Sequence, residues 1–406
     1  MLLARYLDKL VRRGVLTVIE ADGTTSRFGT PDPVFRDVTI RFTDTGAPAA
    51  IARAPRVGAG ESYMDGRMVV DDGDVRDLVR LIQANGRWED GRTIDNEGLV
   101  RGLVDRAAAA IGRLNWERRA RANVRHHYDL SDRLYELFLD PERQYSCAYF
   151  RSPDETLEQA QANKMALIAR KLALEPGMRV LDIGCGWGGL ARYLARTHGV
   201  TVLGVTLSEE QIRYARERTA AEGLSDRVSF ELIDYRRVTG RFDRIVSVGM
   251  FEHVGPPNYR QFFSTCSRLL GDEGAMLLHT IGRLGAPGQT DAWTRKYIFP
   301  GGYSPALSEI VAASEGTKLI ATDVETLRLH YAMTLSHWYD RVVAARAEIE
   351  ALYDARFFRM WQFYLAGAQV SFEHGGMCNY QVQYAKGRRT LPITRDYLLA
   401  DRAPAP

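Results

Sequence analysis

The feature that most constrains this fold lies after residue 160, where apolar strand-like segments alternate with helical ones. The segments that read as buried strands are MRVLDIG, VTVLGVTL, VSFELID, FDRIVSVGMF and GAMLLHTIG, with QIRYARERTAAEG and YRQFFSTCSRLLG as helices between some of them. This alternation predicts an α/β fold, a doubly wound and mostly parallel sheet with helices on both faces. Ligands of such sheets bind beyond the carboxyl ends of the strands, so residues just after each strand are candidate site residues.

The region before this alternation has a different pattern. Residues 14–70 read as short strands separated by turns, with a hairpin around Asp22 and Gly23, and a helical pattern follows them. We therefore predict a small α+β domain over residues 1–85 and a large catalytic domain over residues 121–395.

Between these domains, residues 86–120 are predicted to form a linker whose second half is helical and basic. From Arg106 to Arg125, six arginines accompany the single Glu117, an excess of five positive charges. A solvated helix face accounts for such a run. Contact with anionic lipid headgroups also accounts for it, because each basic residue near a charged membrane adds ~1 kcal/mol to the binding free energy. Nucleic acid is not indicated, because no base-reading or stacking surface accompanies the charge.

The composition of the whole chain limits the remaining possibilities. Lys and Arg number 54 against 51 Asp and Glu, a net charge of +3, so attraction to an anionic surface must come from local clusters. No apolar run approaches the ~18 residues of a membrane span, and the first residues read as an amphipathic helix with Leu3, Tyr6 and Leu7 on one face. The four cysteines lack metal-ligand spacing, which favours a reducing cytoplasm.

A glycine turn after the first strand of the alternating region predicts a cofactor site. Gly184, Gly186 and Gly189 have the spacing G-x-G-x-x-G, which suits a nicotinamide cofactor or S-adenosylmethionine. A dinucleotide site requires an acidic residue at the end of the second strand, but that strand ends in Thr206-Leu207-Ser208. The hydroxyls there, with the amide of Gln211, can hydrogen-bond a ribose instead.

With these residues in view, the chain resembles the cyclopropane-fatty-acyl-phospholipid synthases and the related mycolic-acid methyltransferases. The shared segments begin at His127, Tyr145, Leu181, Thr206, Phe251 and His279, and read HYDL, YSCAYF, LDIGCGWG, TLSEEQ, FEHVG and HTIG. The segment GESYMDG is similar to the N-terminal domain of the phospholipid synthases. The resemblance implies a Rossmann-like class I methyltransferase fold, a possible homodimer and S-adenosylmethionine as methyl donor.

The same resemblance implies which residues line the cofactor. Asp182, two positions before the first glycine, would face the methionine part, and Asp234 and Tyr235 would lie near the adenine. The full set is Tyr145, Ser146, Asp182, Ile183, Gly184, Cys185, Gly186, Trp187, Gly188, Thr206, Leu207, Ser208, Gln211, Asp234 and Tyr235.

The resemblance also implies a second cofactor, bicarbonate, beside the methyl donor. The residues that would surround it are Cys147, Glu252, His279, the backbone of Ile281, and Tyr331. His127 and Tyr128 would contact the substrate, and aromatic faces from Tyr128, Tyr149, Phe251 and Tyr331 are candidates to stabilise a cation. Structural explanations compete at these positions: a satisfied histidine, a turn-capping glutamate, a buried thiol and a tyrosine packed within a helix. No carboxylate pattern completes a metal site at His126 and His127, so no metal is predicted.

The implied reaction transfers the sulfonium methyl carbon to a cis double bond of an unsaturated phospholipid chain and then closes a cyclopropane ring. The enzyme would then be cytoplasmic and would act at the inner membrane surface. Two alternatives stay open. One keeps the donor but forms a methyl-branched or methylene product, or methylates a small molecule. The other is a lipid-binding module with an inactive methyltransferase domain.

Overall fold

The computed structural model describes residues 2–91 and 130–399, which form two compact units. One unit contains residues 2–91 together with Thr290–Phe299 and Ala332–Met377. The other contains the rest of the described chain. The basic run Arg106–Arg125, most of the predicted linker, and the predicted substrate residues His127 and Tyr128 lie outside the described residues.

The first unit contains a four-stranded sheet with the strand order β2-β1-β3-β4. Its strands are β1 (Gly14–Ile19), β2 (Thr25–Thr30), β3 (Val38–Phe42) and β4 (Met68–Asp72). Strands β1 and β2 pair antiparallel. The predicted hairpin is confirmed: Gly23 has a φ of +86°, and the Asp22 carboxylate accepts the backbone N–H of Thr24 at 2.9 Å. β1 and β3 run parallel, and β3 and β4 run antiparallel, so the two kinds of pair alternate across this sheet.

Helices from both ends of the chain complete the first unit. They are Leu2–Leu10, Gly46–Arg53, Pro55–Met64, Val75–Ala84, Ala292–Tyr297, Arg346–Leu352 and Ala355–Glu373, with most of His330–Ala344. A chain of hydrogen bonds joins three of them to the N-cap of a fourth: Tyr63 donates to Gln362 at 2.7 Å, Gln362 donates to Tyr339 at 2.9 Å, and Tyr339 donates to Asp74 at 3.0 Å. The sequence analysis assigns the later helices to the large domain, whereas the structure groups them with the N-terminal residues.

The second unit is built on a seven-stranded sheet with the order β10-β11-β9-β8-β5-β6-β7. Its strands are β5 (Arg179–Ile183), β6 (Thr201–Thr206), β7 (Val228–Leu232), β8 (Phe242–Val248), β9 (Leu270–Arg283), β10 (Ile320–Leu327) and β11 (Met377–Ala385). Strands β5 to β9 pair in parallel, and β10 pairs antiparallel with β11. This arrangement confirms the predicted mostly parallel sheet.

The order of the strands creates a switch point at the middle of this sheet. From β5 the chain builds outward through β6 and β7, and it then returns to build β8 and β9 on the other side of β5. Chain segments leaving β5 and β8 therefore diverge at their carboxyl ends, where open α/β sheets bind ligands.

Successive strand residues point to opposite faces of the sheet. Both sets are buried, because helices cover both faces. Val180 of β5 belongs to one hydrophobic cluster, whereas Leu181 and Ile183 both point to the opposite face and join another. The helices of this unit are Asp132–Phe138, Leu157–Lys171, Gly189–His198, Glu209–Ala221, Tyr259–Leu269 and Leu307–Ser314. Within the described ranges, none of the helices is long and apolar enough to cross a membrane.

Packing around β6 leaves no room for a side chain at Gly204. A Cβ there would lie 2.6 Å from a ring carbon of Phe230 and 2.9 Å from the Cβ of Cys185. We expect Gly204→Ala to lower the free energy of unfolding by about 1–3 kcal/mol, the usual cost of overpacking a core. Chemical denaturation measures this change.

Gly367 provides a matched control for that substitution. It lies inside the helix Ala355–Glu373, and a Cβ there would meet no atom of the described residues within 4 Å. Gly367→Ala should stabilise the protein by roughly 0.4–1 kcal/mol, because alanine has less backbone entropy to lose. Equal losses for both variants would contradict the packing argument at Gly204.

Candidate active site

A cavity lies at the carboxyl ends of β5, β6, β7 and β8, where the switch point predicts a ligand. Five chain segments line it. Their lining residues are Arg143 to Ser146; Asp182 to Trp187 with Leu190; Val205 to Leu207 with Gln211; Ile233 to Arg236; and Val248 to Met250 with His253, Val254 and Asn258. The structure therefore brings most of the predicted cofactor residues together around one cavity.

The glycine turn forms the floor of this cavity in a conformation that side chains disfavour. Gly184 and Gly186 have φ values of +82° and +54°. A Cβ on Gly184 would lie only 2.7 Å from the Cβ of Met250. The backbone N–H groups of Gly184 and Cys185 both donate to the carbonyl of Val205, at 2.9 and 3.1 Å, so the turn is held against β6. A ligand can approach this backbone closely.

Asp182, at the end of β5, places a buried carboxyl in the cavity wall. Only 2% of the residue is exposed, and its Oδ2 atom has no hydrogen-bond partner among residues 2–91 and 130–399. Burial raises the pKa of Asp182 to about 7, although the positive charge of Lys164 acts in the opposite direction. An unpartnered buried carboxyl of this kind suits a positively charged ligand group.

A lysine that the sequence analysis missed supports another segment of the cavity lining, Gln144 to Ser146. Lys164, in the helix Leu157–Lys171, is fully buried. Its Nζ donates to Gln144 Oε1 at 2.6 Å and to Ser146 Oγ at 2.9 Å, and burial lowers its pKa to about 8. Gln161 holds the same segment by donating to the carbonyls of Gln144 and Ser146. Lys164 follows Gln161 by three residues and Leu157 by seven, a helical spacing that could have identified it as inward-facing.

The predicted ribose group is only partly in the cavity. Thr206, Leu207 and Gln211 line it, and the Thr206 hydroxyl donates to Gln211 Oε1 at 2.9 Å. Ser208 does not line it, because its hydroxyl accepts the backbone N–H of Gln211 and caps the helix Glu209–Ala221. Gly188 does not line it either: with a φ of +78° it begins the helix after the glycine turn.

Asp234 and Tyr235 follow β7 and line the far side of the cavity, together with Arg236. The Arg236 guanidinium donates to both oxygens of Asp234, at 2.8 and 2.6 Å. Burial alone would raise the pKa of Asp234, but hydrogen bonds from Arg236 hold it below its ordinary value. The sequence analysis missed Arg236, although its position two residues after an acid allows this local pair.

A hydrogen bond joins two of the residues predicted to surround bicarbonate, Glu252 and Ile281, and His279 lies two residues before Ile281 on β9. Glu252 Oε1 accepts the backbone N–H of Ile281 at 2.6 Å, so that amide is already engaged by the carboxyl. Within the described chain, Glu252 Oε2 and His279 Nε2 are buried without a hydrogen-bond partner. Burial raises the pKa of Glu252 to about 7 and lowers the pKa of His279 to about 3. The histidine is therefore neutral at physiological pH.

None of the five predicted bicarbonate residues lines the cofactor cavity itself, but three adjoin residues that do. Glu252 lies between Met250 and His253, and Cys147 follows Ser146. The backbone N–H of Gly249 donates to the carbonyl of His279 at 2.9 Å. Three of the residues predicted to surround bicarbonate therefore lie directly next to residues that line the cofactor cavity.

The remaining predicted side chains are buried nearby in the same unit. Cys147 is 1% exposed, its thiol donates to the carbonyl of Ala148, and burial raises its pKa. Tyr331 is also buried. Phe251 stacks on Tyr259 with ring centroids 4.1 Å apart, and therefore belongs to the hydrophobic core.

One further titratable side chain, His253, contributes to the cavity. His253 lines it, and burial lowers its pKa to about 4. The sequence analysis includes His253 in the FEHVG motif but does not select it as a site residue. Among the residues that the structure describes, no group of three or more His, Cys, Asp or Glu side chains could hold a metal ion.

The parallel sheet, its switch-point cavity and the glycine turn with a preceding acid define the class I S-adenosylmethionine-dependent methyltransferase fold. The family model described as mycolic acid cyclopropane synthetase matches residues 116–382. The chain belongs to this family.

Named relatives agree with this assignment. The chain is 43% identical over 334 residues to a cyclopropane-fatty-acyl-phospholipid synthase of Escherichia coli, covering 82% of this chain and 83% of the relative. It is 34% identical over 411 residues to a tuberculostearic acid methyltransferase of Mycobacterium tuberculosis, covering 93% and 90%. A solved mycolic acid cyclopropane synthase complexed with SAH and CTAB superposes with a TM-score of 0.62 at 36% identity, covering 66% of this chain and 98% of that one.

The burial of Asp182 generates a pH prediction. Its carboxyl becomes anionic as pH rises through about 7, so the affinity for cationic S-adenosylmethionine should rise over the same range. The cofactor affinity should be measured below about pH 8, where Lys164 keeps its positive charge. Asp182→Asn should weaken binding by about 10- to 100-fold, the equivalent of one hydrogen bond to a charged group, and should remove the pH dependence.

Isothermal titration of the cofactor across this pH range tests the prediction. The control is Asp226→Asn, which removes an exposed carboxylate and should leave both affinity and pH dependence unchanged. A wild-type affinity that stays constant through neutral pH would contradict the role of Asp182.

Proposed function

We propose that this chain transfers the methyl carbon of S-adenosylmethionine to a cis double bond of an unsaturated fatty acyl chain of membrane phospholipid and closes a cyclopropane ring, with bicarbonate assisting deprotonation. Family membership supports the reaction class, as does the 43% identical relative named a cyclopropane-fatty-acyl-phospholipid synthase. The observation that carries the proposal is that Glu252 and His279, which adjoin residues lining the cofactor cavity, each have a buried polar atom without a hydrogen-bond partner among the described residues.

The residues around the cavity have to position two reactants, because an alkene is a weak nucleophile that cannot be activated by deprotonation. When bound, S-adenosylmethionine supplies an electrophilic methyl group. The glycine turn and Asp182 can orient its amino-acid part, and a pocket that excludes water favours attack in line with the sulfur–methyl bond.

Aromatic side chains are the groups that can stabilise the positive charge formed on the acyl chain. Of the four candidates, Phe251 is enclosed in the core and Tyr128 lies outside the described residues. Tyr149 is partly buried and stacks on His330 with centroids 4.8 Å apart. Tyr149 and Tyr331 are therefore the stronger candidates among the described residues.

The open atoms of Glu252 and His279 fit a small hydrogen-bonded anion. Neutral His279 can donate one N–H to a negatively charged oxygen, and the Glu252 carboxylate can accept a hydroxyl proton. Bicarbonate bound there would supply a base small enough to reach the newly added carbon. The Ile281 amide would act through Glu252, because it already donates to that carboxyl.

The cellular context forms a finer part of the proposal. The basic run Arg106–Arg125 supports peripheral association with the anionic inner face of the membrane, and the scattered cysteines support a cytoplasmic location. Association as a homodimer stays a prediction of the family resemblance.

A second candidate outcome keeps the donor and the lipid but changes the product. The relative named a tuberculostearic acid methyltransferase covers 93% of this chain, more than the synthase covers. The alternative is therefore a methyl-branched or methylene acyl chain, which product analysis distinguishes.

We expect the purified protein to add one CH₂ to unsaturated phospholipid in vesicles supplied with S-adenosylmethionine, and to leave saturated phospholipid unchanged. Mass spectrometry detects the gain, and proton NMR identifies the cyclopropane ring. A methylene product has the same mass but shows vinylidene protons, whereas a saturated methyl branch carries two additional hydrogens. Absence of any gain on unsaturated chains would overturn the proposal.

Replacing the carboxyl of Glu252 should separate binding from turnover. Glu252→Gln keeps an oxygen that can accept the Ile281 N–H, but it removes the acid–base group. We expect cofactor affinity to change little and turnover to fall by about 100- to 10,000-fold, the usual contribution of general acid–base catalysis. Steady-state kinetics with varied bicarbonate, alongside cofactor titration, measures both.

The matched control is Glu231→Gln, which alters an exposed glutamate on β7 and should preserve turnover. Unchanged turnover in Glu252→Gln would remove Glu252 from the proposed mechanism.

A further inference from the structure

A buried amide contacts the buried histidine behind the cofactor cavity. Gln381 lies on β11, next to β9, which carries His279. Both residues are almost completely buried, at 0% and 1% exposure. The distance between Gln381 Nε2 and His279 Nδ1 is 3.1 Å, within hydrogen-bonding range.

The chemistry of this contact determines where the imidazole carries its proton. In this structure the Gln381 amide presents its nitrogen to the ring, and because an amide nitrogen can only donate, His279 Nδ1 accepts. Burial, followed by the nearby positive charges of Lys164 and Lys171, keeps the ring neutral by lowering its pKa to about 3. A neutral imidazole that accepts at Nδ1 has its proton on Nε2. That nitrogen has no hydrogen-bond partner in the described part of the chain.

We infer that Gln381 is a positioning residue, which holds His279 as the neutral Nε2–H tautomer so that this nitrogen donates to an anionic oxygen bound beside Glu252. The identity of the anion as bicarbonate rests on the proposed function, whereas the tautomer does not. Metal-ligating histidines, by contrast, usually donate their second ring N–H to a carboxylate or carbonyl. That arrangement would leave His279 with a lone pair facing a negatively charged ligand.

A purely structural role for Gln381 is separable, because the same strand provides a comparison. Gln383 lies two residues further along β11, so its side chain points to the same face, and it is 2% exposed. Its amide donates to the Tyr397 hydroxyl at 2.7 Å and to the carbonyl of Lys171. Gln383 therefore matches Gln381 in burial and polarity while bonding to groups other than His279.

The charged and titratable surroundings of His279 are compatible with a neutral donor. Lys164, Lys171 and His330 all act to lower its pKa. Glu252 is the acidic group whose hydrogen bond to the Ile281 amide places it at the end of the same strand. Since its own pKa is raised to about 7, Glu252 carries little charge that would favour an imidazolium in mildly acidic solution.

Histidine-selective ¹⁵N labelling of the full-length protein tests the tautomer without any substrate. Long-range proton–nitrogen correlation spectra, assigned by comparison with His279→Gln, should show a protonated Nε2 and a hydrogen-bonded, unprotonated Nδ1. Gln381→Leu should move the Nδ1 resonance towards that of a bare lone pair. Gln381→Glu should protonate Nδ1 at alkaline pH, where a carboxyl is ionised and accepts. Gln383→Leu should leave the His279 resonances as in the wild type.

Protonation of Nδ1 in the wild-type protein would overturn the inference, and so would an Nδ1 resonance that Gln381→Leu leaves unchanged. The first point needs only the wild-type spectrum and the His279→Gln assignment, so it is decided even if a Gln381 variant fails to fold.

Kinetics then test the consequence for catalysis. We expect Gln381→Leu to reduce turnover by about 10- to 100-fold, the usual effect of removing a residue that orients a ligating histidine. The KM for bicarbonate should rise while cofactor affinity is unchanged. Equal losses of turnover in Gln381→Leu and Gln383→Leu, with no change in the KM for bicarbonate, would show that Gln381 has only a structural role. A wild-type protein with the expected tautomer but without lipid product would refute the proposed function and leave the tautomer assignment standing.

Discussion

The parallel pairing of β5, β8 and β9 is the constraint on which the rest of this structure depends. In the paired register, Asp182 of β5 lies opposite Val246 of β8, and Val248 of β8 lies opposite His279 of β9. Parallel strands deliver their carboxyl ends to the same edge of a sheet. Groups separated by almost a hundred residues of chain therefore meet there, the cofactor acid on one side and the Glu252–His279 pair on the other.

Burial gives these groups their chemical properties. Removal from water disfavours charge, so the pKa values of Asp182 and Glu252 rise to about 7 while the pKa of His279 falls to about 3. Leaving a buried polar atom unpartnered is costly unless a ligand completes its hydrogen bonds. Open atoms on all three side chains, within the described residues, are thus concentrated where a methyl donor and a small anion are proposed to bind.

Residues one step further from the ligands hold this arrangement in place. Lys164 anchors the segment containing Gln144 and Ser146 with two hydrogen bonds. Gln381, on the neighbouring strand, contacts the His279 ring within hydrogen-bonding distance. Because supporting contacts of this type determine the orientation of the groups that touch ligands, they connect the packing of the sheet to the proposed chemistry.

Local patterns in the sequence were sufficient to predict the alternating strands and helices, the hairpin at Asp22 and Gly23, and the glycine turn, because each depends on residues close together in the chain. The family motifs identified most of the residues that line the cavity. Lys164, Arg236, His253 and Gln381 were not predicted, and the hydroxyl of Ser208 caps a helix although a ribose contact was expected. The Ser208 cap and the Arg236–Asp234 pair are local contacts, whereas only the tertiary structure placed His253 and Gln381 at the site and grouped the later helices with the N-terminal unit. Burial, strand register and hydrogen-bond partners depend on neighbours such as Gln381 and His279, which are 102 positions apart, and periodicity along the chain carries no record of such distant contacts.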